Sequence, residues 1–191
     1  YIFVAQNATN TIKILNPDGS DTGDELGSTN SSVNYNDNRL RIDAKSDAPH
    51  GLNFNPAGTK LYVTDYGDAN VYEYGCTTGF DITSCTFTDL LDVSGTQTNP
   101  NNIEWDDDGD RMYLIGKNLN IDVYSCTTEY DVSSCTAAVI KAINGEITGS
   151  PSGIDFSPDG KKLFIASFSD KDITQYTCTT GFDVGTCGNA V

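Results

Sequence analysis

Apolar positions recur along this chain in short alternating runs, bounded by Gly, Pro, Asn and Asp. A period of two over such lengths predicts half-buried strands. No segment carries the i, i+3, i+4, i+7 pattern for long enough to make a core helix. Residues 51–92 show the scheme most clearly. Leu52–Phe54 is a short strand, and Pro56-Ala57-Gly58 reads as a turn. Lys60 to Thr64 alternates as a second strand, Asn70 to Gly75 forms a third, and Thr86 to Asp92 a fourth.

The scheme repeats. GLNFNPAGTKLYVTDYGDANVYEYGC (51–76) is matched by NIEWDDDGDRMYLIGKNLNIDVYSC (102–126) and by GIDFSPDGKKLFIASFSDKDITQYTC (153–178). Gly58, Gly109 and Gly160 recur every 51 residues. The opening segment YIFVAQNATNTIKIL (1–15) lies over KLYVTDYGDANVYEY (60–74) without a gap. Four antiparallel strands in about 50 residues is the size of one propeller blade. The expected fold is therefore all-β and β-propeller-like, a single repeat domain of about four units: 1–47, 48–98, 99–149 and 150–191. The first unit enters at its second strand and the last stops where its fourth begins, so the strand count is three, four, four, then three and a stub. The only Met is Met112, which points to a processed chain or a piece of a longer one. Open strand edges recruit other strands, so contact with another protomer is expected near Tyr1–Val4 or Gly188–Val191.

The six cysteines fall as Cys76/Cys85, Cys126/Cys135 and Cys178/Cys187, one C-x8-C pair at the same place in three repeats. Six cysteines allow 15 connectivities, but the recurrence favours closure within each blade. A zinc site would bring the cysteines closer and usually add His, and this chain has one His. Disulfides point outside the cytosol. In the shared motif the aromatic (Phe80, Tyr130, Phe182) is expected to tuck under the loop. The following Asp (Asp81, Asp131, Asp183) is expected to cap its turn.

The units NPAGTKLYVTD (55–65), with Tyr62-Val63-Thr64-Asp65, and SPDGKKLFIAS (157–167) resemble the YVTN-type repeats of lactonase/NHL-like β-propellers. The resemblance covers nearly the whole chain. It implies a propeller and allows a metal-dependent lactonase, while propellers as a class host many functions.

Charge narrows the choice. Lys and Arg total 11 against 27 Asp and Glu, a formal net charge of -16. Nucleic-acid binding needs basic patches, and anionic membrane surfaces repel such a chain. No apolar run approaches the ~18 residues of a spanning helix. Partners are thus expected to be other copies of the chain or another extracellular protein or glycan, with no nucleic acid and no membrane insertion.

Candidate chemistry is sparse. Asn53, Glu104 and Asp155 are equivalent positions on the predicted innermost strands. They offer three oxygens to a cation or to ordered water, or else they bond neighbouring blades. Asp18, Asp21 and Asp24 alternate around glycines in a polar loop and could offer hard oxygens to Ca²⁺. They do not follow EF-hand spacing, and a solvated loop explains them as well. Asp106-Asp107-Asp108-Gly109-Asp110 looks similar but aligns with hairpin turns in the other repeats. No cofactor is required, and Ca²⁺ is the one ion these groups suggest. His50, Asn101 and Ser152, each after a Pro, should line one rim. Trp105 replaces Phe54 and Phe156 and is expected between blades. Asn7 and Asn30 head N-glycosylation sequons. There is no G-x-S-x-G elbow and no general base beside the carboxylates.

Three functions follow. The first is a secreted, non-enzymatic repeat protein of a cell surface or extracellular assembly, structural or adhesive, such as a fibre subunit. The second is a lactonase-like, metal-dependent hydrolase using Asn53, Glu104 and Asp155. The third is a carbohydrate- or protein-binding propeller acting through one rim.

Overall fold

The computed structural model describes residues 39–143 and 145–188 in full, and for 2–6 and 11–15 the backbone path. Four antiparallel sheets follow one another along the chain. The first holds β1 (Ile2–Gln6), β2 (Thr11–Leu15) and β3 (Arg39–Arg41). The second holds β4 (Pro49–Phe54), β5 (Lys60–Asp65), β6 (Asn70–Cys76) and β7 (Cys85–Asp92). The third holds β8 (Pro100–Trp105), β9 (Arg111–Gly116), β10 (Asn120–Cys126) and β11 (Cys135–Ala142). The fourth holds β12 (Pro151–Phe156), β13 (Lys162–Ser167), β14 (Asp172–Cys178) and the two-residue β15 (Cys187–Gly188). The strand count of three, four, four, then three and a stub matches the reading of the repeats. Within each sheet the strands pair in sequence order, and the innermost strands β4, β8 and β12 lie side by side with β1 beside β4.

The sequence predicts half-buried strands, and the middle blades depart from that. In β5 every residue from Leu61 to Asp65 is buried, and in β9 every residue from Met112 to Gly116. A middle blade has a neighbour on each face, so both faces of its strands are dry. Leu61 and Val63 pack with Ile42, Tyr74 and Ile82 on one side. Tyr62, next to both in sequence, packs with Ile103, Trp105, Met112 and Leu114 on the other. The third interlayer joins Tyr113, Ile115 and Ile121 to Ile154, Leu163 and Ile165. Each fully buried side chain of this size contributes roughly 1.5–3 kcal/mol. In β13 the alternation returns, with Leu163, Ile165 and Ser167 buried and Phe164 and Ala166 only half-buried.

All three disulfides close within their own blades, Cys76–Cys85, Cys126–Cys135 and Cys178–Cys187. The bonded pairs face each other directly across β6–β7, β10–β11 and β14–β15. The capping aspartates do as expected: Asp81 accepts from the Thr83 N–H, Asp131 from Ser133 and Asp183 from Gly185, each at 3.0 Å. The aromatics do more than tuck under the loop. Phe80, Tyr130 and Phe182 take left-handed backbone angles, φ 58, 56 and 57°. Their N–H groups reach the carbonyls of Gly58, Gly109 and Gly160 at 2.9, 2.8 and 3.0 Å. The loop thus folds back onto the first hairpin turn of its own blade. A Cβ on Gly109 would lie 2.3 Å from the Tyr130 ring, and Gly109 itself has φ 72°. Asp106–Asp110 is accordingly a hairpin turn, with the Gly109 N–H donating to the Asp106 carbonyl at 3.2 Å.

Candidate functional site

The inner strands bring the predicted carboxylate row together in part. Asn53 on β4 donates its side-chain N–H to Oε2 of Glu104 on β8, at 2.9 Å. Asp155 on β12 is exposed and acts on Glu104 through its charge. Burial pushes the Glu104 carboxyl up to about 7, Asp155 adds to the rise, and the Trp105 N–H and Asn53 oppose it. A carboxyl that changes protonation near neutral pH is suited to moving a proton. The sequence shows no general base beside the carboxylates; in the structure the Glu104 carboxyl is raised by burial. The missing signal was burial, which residue type and spacing do not record.

The rim row is also assembled. His50 Nδ1 lies 3.1 Å from Asn101 Oδ1, and Asn101 Nδ2 donates to the Pro151 carbonyl at 2.6 Å. The His50 ring stacks on Tyr66, centroids 4.5 Å apart. With Ser150, Ser152 and Phe168 they line an open cleft of about 340 Å³. Phe168 is 79% exposed. Tyr66 and Phe168 occupy equivalent positions after β5 and β13, and neither stands out in the sequence as a rim residue. Their signal was an aromatic just after a strand, where a turn residue is expected.

Two further acidic features lie away from this row. Asp122 is buried; it accepts from Gln97 at 3.1 Å through Oδ2, while Oδ1 has no hydrogen-bond partner. Burial lifts its pKa to about 6. Asp47, Asp65 and Asp68 gather at the turn after β5. Asp65 is occupied in shaping that turn, accepting from Ser46 and from the Asp68 N–H. Trp105 sits between blades as expected, its ring 4.9 Å from Tyr62 and 5.5 Å from Tyr130. Asp18, Asp21, Asp24, Asn7 and Asn30 lie outside the described residues, as do Tyr1 and residues 189–191.

Repeated four-stranded blades, joined side by side through their inner strands, define a β-propeller protein. A sequence model of the family described as "Lactonase, 7-bladed beta-propeller" matches residues 1–182, and the chain belongs to that family. Among solved structures it is similar to a candidate 6-phosphogluconolactonase from Bacteroides fragilis, with 15% identity and a TM-score of 0.61 over 98% of this chain and 49% of that one. A second candidate 6-phosphogluconolactonase, from Bacteroides uniformis, gives 17% identity and a TM-score of 0.54 over 94% and 50%. A protein from Lactobacillus plantarum gives 18% and 0.62 over 99% and 52%. At such identities the likeness is one of fold. The chain spans about half the length of these structures. A search of curated proteins finds no match. The three disulfides are bonds of an oxidising extracellular or periplasmic setting.

Proposed function

We propose that this chain carries part of a lactonase-like hydrolytic site on the inner strands, with Glu104 as the proton-transfer group. The supporting observation is the half-buried Glu104 carboxyl, held by Asn53 and raised to about 7. Glu104 takes a proton from water as that water attacks the lactone carbonyl. The ring C–O bond breaks, and the same proton goes to the departing ring oxygen, leaving a hydroxy acid. Asn53 orients the Glu104 carboxylate. A cation held by Asn53, Glu104 and Asp155 would polarise the carbonyl, which is the metal-dependent form of this reading, with Ca²⁺ as the candidate ion. With Glu104 beside Asp155 and a net charge of -16, an uncharged sugar lactone suits the site better than a phosphorylated one. Tyr62-Val63-Thr64-Asp65 and its counterparts support a YVTN-type branch of the family.

The test is hydrolysis of glucono-δ-lactone against its 6-phosphate, with and without Ca²⁺. The rate should rise with pH through about 7, and Glu104→Gln should lower it by about 10²–10⁴-fold. A rate unchanged in Glu104→Gln sinks the proposal.

A second reading is binding of a carbohydrate or protein at the rim, favoured by the exposed Phe168 and the stacked His50–Tyr66 pair beside one cleft. The secreted structural role in an extracellular assembly is supported by the disulfides and acidity. It is distinguished by head-to-tail association in sedimentation.

A further inference from the structure

The seams between the second and third blades and between the third and fourth share one plan, but differ in the side chains that fill it. At the seam between the second and third blades, Glu73 is buried and its carboxylate is fully used. Lys60 Nζ lies 2.9 Å from Oε1, the Val132 N–H donates to Oε2 at 3.1 Å, and Thr88 Oγ1 donates to Oε1 at 3.2 Å. At the seam between the third and fourth blades, Arg111 stands where Lys60 does, Val184 where Val132 does, and Ala138 where Thr88 does. The place of Glu73 is taken by Val123.

The carboxylate and the Thr88 hydroxyl have no counterpart there, yet a cation and a main-chain N–H remain. A cavity of about 210 Å³ opens there, lined by Arg111, Val123, Ser125, Ala138, Val139, Phe182, Asp183 and Val184. Arg111 Nη1 donates to the Phe182 carbonyl at 3.2 Å, as Lys60 Nζ donates to the Tyr130 carbonyl at 2.9 Å. Among the described residues no carboxylate pairs with its guanidinium and no acceptor takes the Val184 N–H. Besides Arg111, Ser125 and Asp183, the lining side chains are apolar.

We propose that this cavity binds a small carboxylate with a short apolar tail, in the place that Glu73 fills one blade earlier. Its carboxylate takes the guanidinium of Arg111 and the N–H of Val184, and the tail lies against Val123, Ala138 and Val139. Asp183 does not bar it. Its counterpart Asp131 sits in the same way beside Glu73, with its carboxylate turned to the Ser133 N–H as Asp183 turns to Gly185. Asp106 and Asp110 lie near enough to act on Arg111, which keeps the affinity modest. The site is separate from the inner-strand carboxylates and stands whether or not the chain is a hydrolase.

A ligand that binds only the folded chain raises its melting temperature in a saturable way. The probes are sodium propionate and butyrate, titrated at constant ionic strength with chloride as the balancing ion. The expected result is a saturating rise in melting temperature, with binding weakened at least tenfold in Arg111→Ala and less so in Arg111→Lys. Val123→Glu rebuilds the Glu73 arrangement. It should raise the melting temperature without ligand and abolish the response to propionate. A response that persists in Arg111→Ala, or that chloride and sulfate match, overturns the proposal. Should Val123→Glu not fold, the two Arg111 variants decide the matter.

Discussion

The phenolic hydroxyl of Tyr62 donates to the main-chain carbonyl of Tyr130, 2.6 Å away and one blade further on. Tyr113 repeats the contact with Phe182 at 2.5 Å. Each bond runs from the second strand of one blade to the disulfide loop of the next, so the loop is held by its own hairpin turn and by its neighbour. At the third equivalent position stands Phe164, which has no hydroxyl to give.

Tyr62→Phe removes this bond and little else, since Lys60 still donates to the same carbonyl. The expected loss is about 1 kcal/mol. Urea denaturation checks it, with Phe164→Tyr as a control expected to change stability by less than Tyr62→Phe does.

Lys60→Ala should be worse. It leaves Glu73, only 4% exposed, without its cation. Stranding a buried charge costs about 3 kcal/mol. Lys60→Ala with Glu73→Gln should recover much of that loss, and a double-mutant cycle measures the coupling.

Gly109→Ala should destabilise by more than about 1 kcal/mol, because φ 72° strains any L side chain and the Tyr130 ring occupies the space. Adding Tyr130→Ala should relieve the clash but not the backbone strain. Thermal melts of the single and double variants separate the two.

Stability should fall as pH rises from about 4 to about 7. Glu104 is raised to about 7, and Asp106 and Asp122 to about 6, by burial first of all. In that window the folded chain holds protons that the unfolded chain has released, so each unit of rising pH favours unfolding. Asp92, Asp159 and Asp170 are lowered by hydrogen bonds and work the other way, below the ordinary carboxyl range. Denaturation midpoints measured from pH 4.5 to 7.5 should show the decline, and Asp122→Asn should flatten part of it.

Reduction of the disulfides should lower the melting temperature strongly. A closed loop of about ten residues is worth roughly 2.7 kcal/mol in the chain-entropy model. Non-reducing peptide mapping should find only the pairs 76–85, 126–135 and 178–187.

The repeat carried most of the fold. The recurrence of Gly58, Gly109 and Gly160 and of the C-x8-C pairs is local chemistry, and the blade boundaries follow from it. What stayed hidden is what depends on neighbours. Alternation in Lys60–Asp65 looks the same whether one face or two are covered, so the burial of both faces was not readable. The repeat places Glu104 in a row with Asn53 and Asp155, but the burial that raises its carboxyl is a property of the packed strands. Glu73 and Val123 hold the same place in two blades, but only the seam shows that one fills a slot the other leaves open.

The disulfide loops also bear on how the molecule would respond to tension. Each bond bridges the third and fourth strands at their turn, so the residues between its cysteines cannot be drawn out as slack. Pulling along the chain would separate blade from blade before lengthening those loops. The loops hold the carbonyls that Tyr62 and Tyr113 grip, so a blade returning from extension would meet its neighbour with the accepting loop still closed by its disulfide.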